Sequence, residues 1–401
     1  MPCHHRSKET LLERRPTIAV IDREALRHNY RQIRSNISQA TKVLAVVKAN
    51  AYGHGDVETA AVLQDLGCEY FGVAMPEEGI RLRESGISMP ILILGGVFPN
   101  QIAEVFEFSL TPVVFDLFTL RLINEFAAKK GLIKDIHLKL DTGMGRLGIR
   151  PQDALLLVQE LSGARHIRLE GVLSHFAEAE EEDRSFSKKQ AELFLKAVQS
   201  LRESGISPPL LHMANSAAII APFLSPSPRV RRVRKGAVAY KDAGFNLVRP
   251  GLMLYGAYPS ERLMKKIDLK PALALKTRVL SLKKIDAGFS VSYGRRFVAK
   301  RNSAIAVLPI GYADGYMRSL SNKSSVLIRG KRAPVAGVIC MDLTMCDVTD
   351  IPDVREHDEA VLIGSQGSER ITAEEIASLA GTIPYEVLCG ISARVPRVYI
   401  S

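Results

Sequence analysis

The chain has 401 residues and a formal charge of +11 at neutral pH, with 24% charged and 46% hydrophobic residues. This is the composition of a soluble globular protein, long enough for one large domain and a smaller one. The positive surplus does not make a nucleic-acid binder: it gathers in the run to Arg15 and in Arg231, Arg232, Arg234 and Lys235, without interleaved aromatics, and the chain has no tryptophan.

Five cysteines (Cys3, Cys68, Cys340, Cys346, Cys389) are scattered without metal-ligand spacing, which fits reduced thiols in a cytosol rather than disulfides or a metal site. Residues 1–15 are charged and read as a loose tail, not a signal peptide. No apolar stretch is long enough to span a membrane.

After the short apolar stretch Thr17–Ile21, Asp22 is placed to cap a helix over Arg23–Ile37. Apolar strands and helical patterns then alternate. The strands are expected at Val43–Val47, Tyr70–Ala74, Ile91–Leu94, Thr111–Phe115, Ile136–Leu140, Leu169–Leu173, Leu210–Met213 and Leu247–Arg249. Helices are expected near Asp56–Leu66, Pro76–Glu84, Leu117–Lys130, Pro151–Leu161, Ser185–Glu203 and Asn215–Ala221. Eight strands that are apolar on both faces, with helical crossovers between them, predict an α/β fold of the (β/α)8 barrel type over residues 16–255. Ser225–Phe245, with Pro226, Pro228 and the basic cluster, reads as a long surface loop between the seventh and eighth strands. From residue 256 to 401 the crossovers vanish. Short strand-like runs separated by Gly, Pro and Asp predict a mainly β domain, with Thr372–Ala380 its one helix.

In such a barrel, chemistry collects at the C-terminal ends of the strands. Lys48 ends the first strand and leads into Ala49-Asn50-Ala51-Tyr52-Gly53-His54-Gly55, a loop whose glycines let backbone approach a ligand. Desolvation there lowers an amine's pKa and favours the neutral form that attacks carbonyls, although a lysine snorkelling to water fits this stretch as well. The fifth strand runs into Asp141-Thr142-Gly143-Met144-Gly145-Arg146-Leu147-Gly148, a loop suited to aiming a guanidinium at a carboxylate or to pairing it with Asp141. His175 follows strand six as a ligand contact or a structural histidine. Asn215 and Ser216 start a helix after strand seven, as a phosphate site, a plain N-cap or both. Arg249-Pro250-Gly251 closes strand eight.

The wordings VVKANAYGHG, HLKLDTGMGRLG, LEGVLSHFAEAEE, HMANSAA, NLVRPGLMLYG, VSYGR, PIGYADG, VICMD and IPYEVLCGISARVPR occur in this order from about Arg15 to the end. Together they resemble the successive signatures of the alanine racemase family. The resemblance implies a pyridoxal 5′-phosphate enzyme that interconverts L-alanine and D-alanine, supplying D-alanine for peptidoglycan, as a cytoplasmic homodimer with shared active sites. It implies that Lys48 holds the cofactor and serves one face of the substrate Cα. Tyr293, from the partner subunit, would serve the other, since a planar carbanion needs a proton acceptor on each side. Arg249 would face the pyridine nitrogen, with His175 connected to it. Tyr52, Asn215, Ser216, Gly251, Leu252 and Tyr385 would complete the cofactor site. Arg146 and the Met341 amide would take the substrate carboxylate, and Tyr312 and Asp342 would line the entrance. Lys139 matches a position that is carbamylated in several relatives. No metal is implied.

Two stretches depart from the family pattern, the long basic loop and the N-terminal tail, and neither touches a motif. A racemase for serine or a broader set of amino acids fits the same motifs. A decarboxylase of the same architecture carries a different cysteine signature from Tyr385-Glu386-Val387-Leu388-Cys389. A non-catalytic cofactor carrier lacks a second domain.

Overall fold

A computed structural model of the chain describes residues 15–221 and 244–401. It begins with strand β1 (Ile18–Asp22) and helix α1 (Arg23–Ser35), capped by Asp22, which accepts from Ala25 N at 3.0 Å. Eight strands follow: β2 (Lys42–Val46), β3 (Tyr70–Val73), β4 (Ile91–Ile93), β5 (Thr111–Val114), β6 (Lys134–Lys139), β7 (Ile167–Leu173), β8 (Leu210–His212) and β9 (Leu247–Val248). Neighbours from β2 to β8 pair in parallel, and β9 returns to pair with β2. Between β8 and β9 the ring is drawn together by Asn246 N to Leu211 O (3.1 Å) and Arg249 N to Ala214 O (2.8 Å). The result is the (β/α)8 barrel that the alternation predicts.

The outer layer is α2 (Asp56–Asp65), α3 (Pro76–Glu84), α4 (Ile102–Glu107), α5 (Leu117–Lys130), α6 (Ala154–Gly163), α7 (Ser185–Glu203) and α8 (Ser216–Ile220). Parallel strands covered by helices have no wet face, which is why Leu44, Phe71, Ile91, Val113 and Leu138 are fully buried. Each such side chain contributes about 1.5–3 kcal/mol of transfer free energy. Helix α4 was not among the expected helices; it is only six residues long.

The second domain contains β10 (Leu273–Arg278), β11 (Ser281–Ile285), β12 (Ser290–Val291), β13 (Phe297–Val298), β14 (Ser303–Leu308), β15 (Ser325–Ile328), β16 (Lys331–Pro334), β17 (Thr344–Asp347), β18 (Glu359–Gln366) and β19 (Glu369–Ile371). Helices α9 (Ala373–Ala380) and α10 (Pro384–Cys389) precede the last strand, β20 (Arg397–Ile400). The main sheet runs β16-β15-β18-β10-β1-β20, with β19 on β18; β11-β14-β17 form a second sheet and β12-β13 a hairpin.

Two placements differ from the sequence reading. Strand β1 lies within the expected barrel range 16–255 but pairs antiparallel with β10 and parallel with β20, so it is part of the main sheet of the second domain. A five-residue apolar strand is satisfied by any open sheet edge, and its own pattern does not say which. Helix α10 joins Thr372–Ala380 as a second helix of the β domain; its six residues start at Pro384, a good first helical residue but too short a run to show a period. The stretch Ser225–Phe245 falls almost wholly outside the described residues, as do residues 1–14 of the tail. Among the described residues no helix is long and apolar enough to cross a membrane.

Candidate active site

Strand β2 ends at Val46, and Lys48 opens a turn that is helical with the wrong hand. Ala49, Asn50, Ala51 and Tyr52 have φ of 53°, 53°, 51° and 54°, followed by Gly53 at 84°. Left-handed backbone costs an L-residue about 1–2 kcal/mol, so four in a row persist only where their surroundings over-determine them. One such tether is Glu78, whose carboxylate accepts from Ala49 N (2.7 Å) and Ala74 N (2.6 Å). The turn leaves Lys48 half-buried and facing a cavity of about 740 Å³ at the C-terminal mouth of the barrel. Burial and then the Arg146 guanidinium lower the Lys48 pKa from its ordinary value.

Of the residues expected at the site, Lys48, Tyr52, Lys139, Arg146, His175, Asn215, Ser216, Arg249, Gly251, Leu252 and Tyr385 all line this cavity. The lining is strongly cationic, with Lys48, Lys139, Arg146 and Arg249 set against Glu180 as its only carboxylate among the described residues. Lys139 is pushed down to about 8 by burial and then by Arg146 and Arg249. Arg146 stands on the glycine loop, where Asp141 instead accepts from Gly143 N (2.9 Å) and Gly145 N (3.1 Å). The alternative pairing of Arg146 with Asp141 is therefore not made, and the guanidinium has no carboxylate partner among the described residues.

Tyr52 stacks on Tyr255 with centroids 4.9 Å apart and lies 5.9 Å from the Tyr385 ring. A Cβ added to Gly251 would sit 2.5 Å from the Tyr52 hydroxyl, so glycine is needed for that approach. Ser216 Oγ accepts from Gly251 N at 3.0 Å, which gathers a phenol, a hydroxyl and backbone amides at one spot. Asn215 caps α8 by accepting from Ala218 N at 3.1 Å, so the N-cap is made beside these groups.

Arg249 is buried, and its charge is handled by a chain of groups rather than a direct ion pair. Nη2 reaches His175 Nδ1 (3.2 Å) and donates to Ser174 O (2.6 Å) and Met213 O (3.2 Å). Nη1 donates to His212 Nδ1 at 2.8 Å. A guanidinium only donates, so His212 carries its proton on Nε2 and donates it to His137 Nδ1 at 2.9 Å. His137 then donates from Nε2 to Glu170 at 3.1 Å, and the same carboxylate accepts from Tyr70 Oη at 2.9 Å. Burial, with Arg249 next, holds the His175 and His212 imidazoles well below their ordinary pKa. Burial lowers Arg249 itself to about 9, which leaves it charged at neutral pH.

Sequence reasoning missed His212, His137 and Glu170 as parts of this site. The available signal was His137 two residues before Lys139, hence on the same face of β6. Gly171 was another, since a Cβ there would meet the His137 ring at 2.5 Å.

Four expected residues lie elsewhere. Tyr293, Met341 and Asp342 line a separate cavity of about 370 Å³ on the β domain, and Tyr312 stands on the turn beside them. Tyr293 is 71% exposed and Met341 53%. Tyr312 N and Ala313 N donate to Cys340 O and Met341 O, each at 3.0 Å, which fixes the turn against residues 340–341. Arg394 joins Asp342 at 2.7 Å.

The chain thus joins a barrel, with a desolvated lysine at the end of its first strand and a cationic cavity at its mouth, to a β domain. Family models agree: "Alanine racemase, N-terminal domain" matches residues 21–259 and "Alanine racemase, C-terminal domain" residues 272–399. The alanine racemase of Halothermothrix orenii is 46% identical over 385 residues, covering 96% of this chain and 97% of that protein. That of Geobacter sulfurreducens is 45% identical, covering 97% and 98%. Among solved structures, alanine racemase from Clostridium difficile 630 superposes with a TM-score of 0.85 at 38% identity, covering 96% of each chain. The Bacillus anthracis alanine racemase with bound L-Ala-P gives 0.86 at 35%, covering 96% and 95%. The chain belongs to the alanine racemase family.

Proposed function

We propose that this protein interconverts L-alanine and D-alanine, with pyridoxal 5′-phosphate held on Lys48 and with active sites shared between two copies of the chain. The observation that carries the reading is the partition of chemistry: a desolvated lysine in an anion-seeking cavity, and an exposed tyrosine held on a separate face. The cavity's donor set fits the cofactor. Four cations match a dianionic phosphate and a substrate carboxylate, and the Gly251 approach to Tyr52 and Ser216 leaves a cradle that a side chain would fill.

When bound, pyridoxal phosphate weakens the Cα–H bond of an attached amino acid by withdrawing electrons from it. Tyr52, Ser216, the amides of Gly251 and Leu252, and Tyr385 hold the phosphate. Arg249 would hold the pyridine ring by donating an N–H toward its nitrogen, and an arginine there would favour that nitrogen without a proton. Arg146 takes the substrate carboxylate, joined by the Met341 amide of the second copy. The Lys48 amine and the second copy's Tyr293 hydroxyl move the Cα proton on opposite faces, and its Tyr312 and Asp342 line the entrance. The 71% exposure of Tyr293 supports the homodimer, since a base that works in water loses its selectivity. L-Ala-P and cycloserine, bound in the Bacillus anthracis and Clostridium difficile relatives, support a small amino-acid substrate. A cytoplasmic place and supply of D-alanine for peptidoglycan follow from this reading. The test is to incubate purified protein with L-alanine, and with L-serine in parallel, with and without added cofactor. D-alanine formed fastest supports the reading; no D-alanine from the reconstituted dimer ends it.

A further inference from the structure

The left-handed turn that presents Lys48 and Tyr52 is held from beneath by the last strand of the other domain. Gly53 O accepts from Arg397 Nε at 2.9 Å. The rest of that guanidinium is spent on three more carbonyls: Ser392 O (2.6 Å), Val395 O (2.7 Å) and Ile391 O (2.6 Å). Two residues on, Tyr399 Oη donates to His54 O at 3.2 Å. His54, fully buried, turns its Nδ1 back on Ala51 O and Tyr52 O at 3.0 Å each, the carbonyls of the left-handed residues themselves. The fit is close on both glycines: a Cβ on Gly53 would lie 2.2 Å from Leu388 O, and one on Gly55 would lie 1.8 Å from Tyr399 Oη.

We propose that Arg397 is a positioning residue for Lys48, acting through Gly53, with Tyr399 beside it acting through His54, to hold the turn in its left-handed form. It touches neither lysine nor cavity; its planar fork reaches four carbonyls that a single ammonium cannot span. Released from that grip, the turn relaxes toward ordinary right-handed or extended backbone and carries the amine away from its place in the cavity. This rests on the reading of Lys48 as the cofactor lysine.

Arg397→Lys keeps the charge and loses the fork. Hydrogen exchange by mass spectrometry should show protection lost in the peptide spanning residues 47–56 and retained across the barrel strands. Apoenzyme of the variant should capture pyridoxal phosphate about tenfold more slowly. Its kcat should fall about tenfold or more while KM for alanine stays within about threefold. Tyr399→Phe, which removes the hydroxyl's contacts with His54 O and Glu58, should shift the same quantities about two- to threefold. A lower melting temperature with unchanged protection of residues 47–56 and unchanged capture rate in both variants would overturn the proposal. Borohydride trapping and peptide mapping on the parent protein separates the two layers: an adduct off Lys48 defeats the underlying reading, whereas an adduct on Lys48 with unaltered variants defeats only the role of Arg397.

Discussion

The mouth of the barrel and the exposed face of the β domain both carry chemistry-bearing side chains, and they are built in opposite ways. At the mouth, Lys48 and Arg249 are desolvated, and Arg249 is tied in place by donating to His212, Ser174 and Met213. On the other face, Tyr293 stands in solvent, yet its backbone is held firmly. Ser292 sits at φ 66°, donates from its hydroxyl to Val338 O at 2.5 Å, and packs where Gly337 leaves room for it. A non-glycine residue in that conformation costs about 1–3 kcal/mol, a large outlay for presenting a phenol to water. The contrast supports the proposal that the second face meets another copy of the chain and completes the first cavity there.

The largest expected effect tests the mouth. Lys48→Ala should lower kcat/KM for racemisation by at least about 10⁴-fold, because on the proposed reading it removes both the covalent anchor and one proton carrier. Cofactor should no longer survive gel filtration with the protein. Retention of cofactor on the variant, or a borohydride adduct on Lys139, would move the centre of the site.

Next comes the exposed face. Tyr293→Phe should cost about 10²–10⁴-fold in kcat while leaving the fold and cofactor content unchanged. In deuterated water this variant should wash deuterium preferentially into D-alanine, the hand that the family resemblance assigns to the lysine; equal exchange into both enantiomers would remove the two-base account. Mixed with Lys48→Ala, it should regain up to about a quarter of wild-type activity by random subunit exchange. Exchange without rescue would place both bases in one chain.

That division was only half legible in the sequence. The barrel strands were, because continuous apolar runs between helical patterns have few other folds, and Lys48, Arg146 and Arg249 followed from their positions at strand ends. The partition between Lys48 and Tyr293 was given only by the family resemblance, since nothing in the spacing of two motifs says whether they meet within one chain. The left-handed turn was equally hidden: Ala49, Asn50 and Ala51 carry no glycine to announce positive φ. Nor does any local pattern bring His137, His212 and Glu170 together; parallel pairing of β6, β7 and β8 does that.

The histidine chain sharpens the account of the mouth. Glu170→Gln keeps an acceptor for His137 but removes the charge that balances Arg249 at a distance. We expect kcat to fall about three- to thirtyfold with little change in KM, and stability to fall by about 1–3 kcal/mol. The pH dependence has a definite sign. The hydrogen bond from His137 holds Glu170 below its ordinary 4.5. Its contribution is thus present above that pH and lost as pH falls through the depressed value, so parent and variant melting temperatures should converge in acid. A constant difference down to the acid limb would make the carboxylate's charge irrelevant.

The smallest effect concerns Lys139, and here the sign is the measurement. Its amine sits at about 8 against an ordinary 10.5. Between those values the unfolded chain holds a proton that the folded chain lacks, so stability rises with pH across that window, and below it the charged amine is a burden on the folded state. Lys139→Met should therefore melt a few degrees higher than the parent at pH 7 in carbon-dioxide-free buffer. The gain should shrink as pH rises from about 8 to 10.5. At pH 7 about a tenth of the amine is neutral, enough to add carbon dioxide with formation of an N–C bond and release of a proton. The carbamate would then be an anion among Arg146 and Arg249, and the same substitution would destabilise. Repeating the melts with bicarbonate should thus reverse the order of the two proteins. A higher melting temperature for the Met variant in both buffers would mean that Lys139 stays an amine, and that Arg146 keeps its place without an anionic neighbour.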